Sequence, residues 1–217
     1  FKIMEIVRKG KARKLLTPEH IAEMKNHGVP DWYIDSCMKI KYMFPKAHAT
    51  AYMISTLRLG WYKVYRPIEY YAAYFTVRSE DLDGVLVMKG KEAVKQQMKD
   101  IKAKGNEATV KEAAAFATLQ IVNEMFERGI EVLPIDLYKS DAYKFLVEDG
   151  KIRLPFSSLP GVGENVAKGL QNARNGGRYI SVDEISTRSG ASKTIVELMD
   201  EIGMLKGIPK SSQLSFF

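Results

Sequence analysis

Leu159-Pro160-Gly161-Val162-Gly163 is the stretch of sequence that decides the fold, and Glu164-Asn165-Val166-Ala167-Lys168-Gly169-Leu170 follows it. An apolar residue, a Gly-x-Gly triplet and an amphipathic helix in this order are typical of a helix-hairpin-helix. The two glycines allow a backbone path that a Cβ would block. The N–H groups of the hairpin and of the first helical turn then point outward together, and such a cluster of donors binds anions.

We interpret this anion as a DNA phosphate, because the whole chain is basic. It has 33 Lys and Arg against 26 Asp and Glu, a formal net charge of +7. A basic balance favours a polyanionic partner but does not identify it. The predicted DNA contacts are Gly161, Val162, Gly163 and Lys168, one turn into the helix. The alternative is an ordinary glycine-rich turn before a surface helix.

The composition limits the class of protein. A length of 217 residues suits one large domain or two small ones, and 46% hydrophobic residues can form a core. Cys37 is the one cysteine, which excludes a disulfide framework and a cysteine-based metal site and fits a reducing, cytoplasmic location. No apolar run approaches the ~20 residues of a membrane span, and no signal peptide is visible. Because residues 1–7 already look helical, we expect a piece of a longer protein.

Residues 1–129 are predicted to be helical. Thr17-Pro18 and Asp31 are helix-start signals, and Thr109-Val110-Lys111-Glu112 is a capping box. The predicted helices cover residues 1–7, 17–28, 31–40, 47–65, 68–76, 81–104 and 109–129. The helix over 81–104 is rich in lysine and exposed, whereas the aromatic residues from Tyr70 to Phe75 are assigned to the core.

Residues 130–205 are predicted to form a small α+β module. A short strand is expected over 130–135, and Asp149-Gly150 between two apolar runs is a strong hairpin signal. A second capping box is expected at 181–184. The segment 188–193 resembles a degenerate second hairpin, and its Ser192 and Lys193 are predicted DNA contacts. Paired hairpins would hold both strands of a duplex across the minor groove, and residues 206–217 are predicted to be a flexible tail. The predicted fold class is mainly α with a small β component.

A basic run lies near the start of the chain. Arg8-Lys9-Gly10-Lys11-Ala12-Arg13-Lys14 places five positive charges in seven residues. We assign Arg8 and Lys9 to contacts with nucleotide phosphates, and the alternative is a solvated loop.

The segment Phe44-Pro45-Lys46-Ala47-His48-Ala49-Thr50-Ala51-Tyr52 resembles the fingers motif of bacterial replicative DNA polymerase III alpha subunits. The family pattern Lys-x-His-x-x-Ala-Tyr is matched by Lys46, His48, Ala51 and Tyr52. The continuations at 61–63, 67 and 71–75 are similar to that family as well. The order of motifs resembles the PolC-type branch, in which paired hairpins follow the fingers and the chain ends in a clamp-binding peptide. Here that peptide is Gln213-Leu214-Ser215-Phe216-Phe217, with Phe216 where the usual pattern has Leu.

The resemblance implies that three parts of the chain have different functions. Residues 1–129 would be a fingers region, 130–205 a duplex-binding domain and 206–217 a tail for the beta sliding clamp. Lys46, His48 and Tyr52 would contact the incoming dNTP or template. The alternatives are a solvated lysine at a helix start and a tyrosine that only packs. The clamp contacts would be Gln213, Leu214, Phe216 and Phe217.

The resemblance also implies what this segment lacks. In this family, carboxylates of the palm hold two magnesium ions for nucleotidyl transfer, and the palm lies upstream. Asp81-Leu82-Asp83 is attributed to the acidic first turn of a helix rather than to a metal pair. We therefore predict no catalytic or metal-binding residue here and no polymerase activity in the isolated segment. The intact enzyme would act on template-primer duplex in the bacterial cytoplasm, at the replisome.

Two other functions remain open at this point. One is a non-enzymatic helix-hairpin-helix module of a repair nuclease or recombination protein. The other is a clamp-loading or scaffold adaptor that needs only the tail. A strand with Asp-x-Asp upstream of residue 1 would distinguish the polymerase from both.

Overall fold

The structure is a computed structural model that describes residues 1–78 and 82–211. Its contacts group the chain into two compact units, Phe1–Gly60 and Trp61–Phe217. Each unit is described below by itself.

The first unit is built from short helices around a small core. Its helices are α1 (Lys2–Arg8), α2 (Ala12–Leu15), α3 (Pro18–Asn26), α4 (Asp31–Lys39) and the beginning of α5 (Lys46–Tyr65). The buried core residues are Val7, Ala12, Met24, Ile34 and Cys37. The helix-start signal at Thr17 is confirmed, because Thr17 Oγ1 accepts a hydrogen bond from the His20 N–H. Asp31 is wrong as a cap: Pro30 is the N-cap of α4, and Asp31 pairs with Lys25 at 2.8 Å.

The second unit contains the remaining helices. They are α6 (Pro67–Val77), α7 (Gly84–Met88), α8 (Lys91–Ala103), α9 (Val110–Glu127), α10 (Glu164–Ala173), α11 (Val182–Ser189) and α12 (Lys193–Glu201). The capping box of α9 is confirmed, with Glu112 accepting from the Thr109 N–H at 2.9 Å. The single helix predicted over 81–104 is wrong, because Gly90 at φ +90° separates α7 from α8.

A three-stranded sheet lies in the second unit. Its strands are β1 (Val132–Leu133), β2 (Leu146–Glu148) and β3 (Lys151–Arg153), in the order β1-β3-β2. β2 and β3 are antiparallel, and Asp149 and Gly150 between them have φ of +51° and +76°. Two positive φ values are what a two-residue hairpin turn of type I′ requires. The predicted fold class, mainly α with a small β component, is confirmed.

One hydrophobic core serves the whole second unit. Tyr71 and Phe75 from the predicted aromatic core are buried, and Phe75 packs on Phe145 with ring centroids 5.6 Å apart. The same cluster includes Leu170 of α10 and Met199 of α12. It therefore takes residues from both sides of the boundary expected near residue 129, and the division into functional regions stays a prediction.

Part of the segment after α12 packs against the rest of the second unit. Leu205 is buried, Ile208 packs against the core, and the Val182 N–H donates to the Pro209 carbonyl at 2.8 Å. The beginning of the predicted flexible tail is therefore in contact with α11. No helix within residues 1–78 and 82–211 is long and apolar enough to cross a membrane.

Candidate nucleic-acid interface

The first hairpin joins a 3₁₀ turn, Phe156–Ser158, to α10. Leu159 is fully buried and the Val162 N–H donates to its carbonyl at 3.1 Å, which closes the turn. Gly161 has φ +82°, a conformation that residues with a Cβ rarely adopt. Val162 points into the core, whereas Gly161 and Gly163 are exposed. The hairpin is thus fixed by buried apolar side chains and presents glycine backbone to solvent.

The N-terminus of α10 offers unused donors. Gly163, its N-cap, has no side chain, and none of the side chains in residues 1–78 and 82–211 accepts from the first-turn N–H groups of the helix. The exposed residues Gly163, Glu164 and Asn165 leave this end open to an anion.

The ammonium group of Lys168, near this helix end, already has partners. Its ammonium group pairs with Glu164 at 2.5 Å and lies 5.8 Å from the centre of the Tyr143 ring. The pair raises the pKa of Lys168, mainly through the hydrogen bond to Glu164. Both side chains are exposed, and exposed pairs are weak enough to exchange one partner for another. Lys168 can therefore move from Glu164 to a phosphate at small cost.

A second hairpin connects α11 to α12. Gly190 ends α11 with φ +75° and ψ +12°, the left-handed conformation of a helix C-terminus. Ala191 is buried, and Ser192 is the N-cap of α12, with its hydroxyl accepting from the Ile195 N–H at 3.4 Å. The Lys193 side chain is 91% exposed and only loosely paired with Glu197, at 3.8 Å.

The two hairpins match position by position. Each has a glycine at positive φ, then a buried apolar residue, then the N-cap of a helix. These positions are Gly161, Val162 and Gly163 in the first hairpin and Gly190, Ala191 and Ser192 in the second. The caps differ: Ser192 satisfies one donor of its own helix, whereas Gly163 satisfies none. The first helix end is therefore the stronger candidate for an external anion.

The capping box predicted at 181–184 is wrong, although Ser181 is the N-cap of α11. The buried Ser181 side chain accepts no capping hydrogen bond. Glu184 accepts from the N–H of Ile180, at 2.8 Å, and not from that of Ser181.

An arginine holds the second hairpin against α10. Arg188 Nη2 donates to the carbonyls of Ala173, the last residue of α10, and of Gly177, the latter at 3.0 Å. Its guanidinium lies 4.5 Å from the centre of the Tyr179 ring and pairs with Glu184 at 3.3 Å. Sequence reasoning missed this role, because the partners of Arg188 come from a loop whose path the sequence does not specify.

The first unit holds the residues predicted to contact a nucleotide. Lys46 begins α5, and its side chain is exposed. The His48 ring lies edge-on between Phe44 and Tyr52, with centroid distances of 4.7 and 4.5 Å. Tyr52 is 64% exposed. Phe44, His48 and Tyr52 thus form an exposed row of rings next to a lysine at the start of a helix.

Arg8 and Lys9 share one acidic partner. Arg8 makes two hydrogen bonds to the Glu5 carboxylate, at 2.8 and 3.1 Å, and Lys9 pairs with it at 3.1 Å. These bonds, from Arg8 first and Lys9 second, lower the pKa of Glu5 to about 2. The Arg8 carbonyl accepts from the Met43 N–H at 2.8 Å, which places the basic run beside the segment that leads into α5.

Some predicted residues lie outside the described part of the chain. They are Asp81 and the clamp contacts Gln213, Leu214, Phe216 and Phe217. Asp83 is described, and its carboxylate caps α7 by accepting from the Leu86 N–H at 3.0 Å. Residues 1–78 and 82–211 contain no cluster of three or more side chains suited to hold a metal ion.

Comparison with known proteins gives two findings. A helix-hairpin-helix motif family matches residues 129–214, which include both hairpins. All 217 residues also align with proteins named DNA polymerase III PolC-type: 49% identical in Caldanaerobacter subterraneus, 48% in Clostridium perfringens and 48% in Bacillus subtilis. The chain spans 15% of the length of each of these relatives.

Proposed function

We propose that this chain is a segment of a PolC-type DNA polymerase III and that it binds duplex DNA through its two hairpins. The similarity of about half the residues over all 217 positions to polymerases of that name carries the proposal. It favours the polymerase over a repair module or an adaptor, because it includes the first unit as well as the hairpins. The paired hairpin geometry supports the DNA-binding part.

The chemistry of the proposed DNA contact is electrostatic and independent of sequence. The exposed backbone of Gly161 and Gly163 lets a phosphate oxygen approach the free N–H groups at the start of α10. Lys168, Ser192 and Lys193 supply further contacts to the sugar-phosphate backbone. Phosphate contacts position a protein on DNA without reading its bases.

The first unit would serve the incoming nucleotide. Lys46 and His48, at the start of α5, would bind triphosphate oxygens, and Tyr52 continues the exposed aromatic row. Arg8 and Lys9 would exchange Glu5 for phosphate.

The remaining proposals concern the intact polymerase. Magnesium would be held by carboxylates outside this segment, so the isolated segment would not extend a primer.

The tail residues Gln213, Leu214, Phe216 and Phe217 would bind the beta sliding clamp. The enzyme would work at the replisome in the cytoplasm. Deleting residues 213–217 should abolish clamp binding and leave DNA binding without the clamp unchanged.

A single substitution tests the DNA-binding proposal. Gly163 has φ −83°, an ordinary conformation, and a Cβ built on it meets no atom within 4 Å. Gly163→Val should lower the melting temperature only slightly, because valine is a poorer N-cap than glycine but meets no clash. It should weaken binding of a fluorescent 20-base-pair duplex about tenfold, because the side chain covers the free N–H groups. Gly60→Val is the matched control, since Gly60 also has open space around it. Equal affinity of the Gly163 variant and the parent would exclude the first hairpin as the contact.

A further inference from the structure

A groove adjoins the first hairpin. It has a volume of about 550 Å³ and lies between the hairpin and parts of α7, α8 and α9. This size falls within the range of about 300–1,000 Å³ that is usual for ligand sites. Pro160, Gly161 and Val162 form one of its walls. The groove is thus continuous with the proposed phosphate site.

The wall between α7 and the hairpin is tightly packed. A Cβ on Gly84, the first residue of α7, would meet Ser158 Oγ at 2.5 Å and the Ser158 carbonyl oxygen at 2.8 Å. Ser158 is itself fixed by donating to the Pro155 carbonyl at 2.7 Å. Packing this close holds α7 and the hairpin at a set separation, so the groove is preformed.

The lysines in and near the groove differ in whether their side chains are paired with a carboxylate. Lys91 and Lys95 on α8 pair with Glu127, and Lys104 pairs with Glu112. The side chains of Lys89 and Lys111, which line the groove, have no ion-pair or hydrogen-bond partner among the described residues. The groove is therefore lined by two cationic side chains that no described carboxylate neutralises.

Two acidic residues also line the groove, and the carboxylates of both already accept hydrogen bonds from other groups. Asp83 accepts from the Leu86 N–H at 3.0 Å. Glu112 accepts from the Thr109 N–H at 2.9 Å and pairs with Lys104. Neither carboxylate neutralises Lys89 or Lys111, so the groove attracts an anion.

The interior of the groove suits a base more than a phosphate alone. Leu82, Leu86 and Leu119 supply apolar lining, and Gln97 supplies an amide. The Gln97 amide can both donate a hydrogen bond to the polar edge of a base and accept one from it.

We propose that this groove binds one nucleotide of a DNA strand that has left the base-paired duplex held by the first hairpin. Lys89 and Lys111 contact its phosphate, and its base lies against the apolar lining with a polar edge at the Gln97 amide. A base can enter only when unpaired, because a base stacked within a duplex is not accessible from the side. The inference rests on the proposed DNA binding and extends it to a site for unpaired DNA.

The test compares three fluorescent DNAs with the same 20 base pairs: blunt, with four unpaired nucleotides at each 5′ end, and with four at each 3′ end. The double variant Lys89→Ala, Lys111→Ala should bind one of the tailed DNAs about tenfold more weakly than the parent does. It should lose little affinity for the blunt duplex. The control Lys99→Ala, Lys102→Ala removes the same charge from exposed lysines outside the groove lining.

The outcomes separate the two proposals. If the parent chain binds none of the DNAs, the proposed function fails. If it binds the blunt duplex in a manner that depends on Gly163, but the two double variants lose affinity for the tailed DNAs equally, only the groove is excluded. Equal losses of the Lys89, Lys111 variant on blunt and tailed DNAs would likewise overturn the site for unpaired nucleotides.

Discussion

Gly169, in the middle of α10, lies directly against the carbonyl oxygen of Ser189, the last residue of α11, where a Cβ on residue 169 would overlap that oxygen. This contact brings the end of α11, and with it the second hairpin, onto the helix that the first hairpin begins. The sequence Leu159–Leu170 therefore contains both the first hairpin and the glycine that positions the second.

Gly169→Ala is predicted to destabilise the second unit. The methyl group must displace the Ser189 backbone, and overpacking of this kind costs about 1–3 kcal/mol. The free energy of unfolding should fall by that amount in urea titrations. Gly60→Ala is the control: its site in α5 is open, and alanine favours a helix by about 1 kcal/mol over glycine. A Gly169→Ala variant as stable as the parent would show that α10 and α11 separate easily.

Arg188→Lys is predicted to destabilise as well, although it keeps the charge. Lysine cannot reproduce the fork that reaches the carbonyls of Ala173 and Gly177 while it stacks on Tyr179. The carbonyl of the buried Ala173 then loses its donor, and an unsatisfied buried acceptor costs about 1–3 kcal/mol. Arg178→Lys is the control, since the exposed Arg178 only lies over the Tyr138 ring at 5.7 Å. Equal unfolding free energies for the two variants would contradict the role assigned to Arg188.

Glu148 gives the second unit a stability that depends on pH. Hydrogen bonds from Arg153 first, and then from Lys139, lower the pKa of Glu148 from 4.5 to about 2. A carboxylate with a lowered pKa stabilises the fold fully above its ordinary pKa, and this stabilisation is lost as the pH falls from about 4.5 towards 2.

The measurement is the melting temperature from pH 7 to pH 3. Glu148→Gln should melt below the parent at pH 7. The gap should narrow as the pH falls below 4.5, because the unfolded parent then binds a proton at Glu148 that the folded parent, with a pKa of about 2, does not bind. Glu107→Gln is the control, at an exposed glutamate of the Gly105–Glu107 turn. A gap for Glu148→Gln that stays constant down to pH 3 would contradict the prediction.

Local signals were sufficient for the turns and most helix starts. Asp149-Gly150 specifies its hairpin because few other residue pairs accept two positive φ values. The boxes at Thr17 and Thr109 need only atoms within four residues. Asp31 and Ser181 are also residue types that favour N-caps. Asp31 instead pairs with Lys25, and the buried Ser181 side chain accepts no capping hydrogen bond.

The arrangement of the site needed contacts that no local pattern contains. The hairpin at 159–163 was visible because its glycines and following helix are contiguous. The contact of Gly169 with Ser189, the reach of Arg188 to α10 and the groove beside Gly161 join segments that are far apart in sequence. Lys89 and Lys111 were indistinguishable from other surface lysines until their neighbours were known.

The last prediction concerns Lys46, which begins α5 beside the row of rings formed by Phe44, His48 and Tyr52. The first turn of α5 contains no acidic residue, so its free N–H groups and the Lys46 ammonium group together favour an anion. In a PolC-type polymerase that contains this segment, Lys46→Ala should raise the KM for dNTP or lower kcat. A charge-assisted hydrogen bond to phosphate contributes about 1.5–3 kcal/mol, which corresponds to a change of roughly 10-fold to 100-fold in kcat/KM.

The matched control is Lys39→Ala, which removes an exposed lysine from the last turn of α4 rather than from the first turn of a helix. It should leave both kinetic constants unchanged. Duplex binding should be the same in both variants, because the proposed DNA contacts lie in residues 161–193. This readout separates loss of a nucleotide contact from general weakening of the polymerase on DNA. If Lys46→Ala and Lys39→Ala give the same kcat/KM as the parent, Lys46 is a solvated surface residue and the nucleotide site must be sought elsewhere.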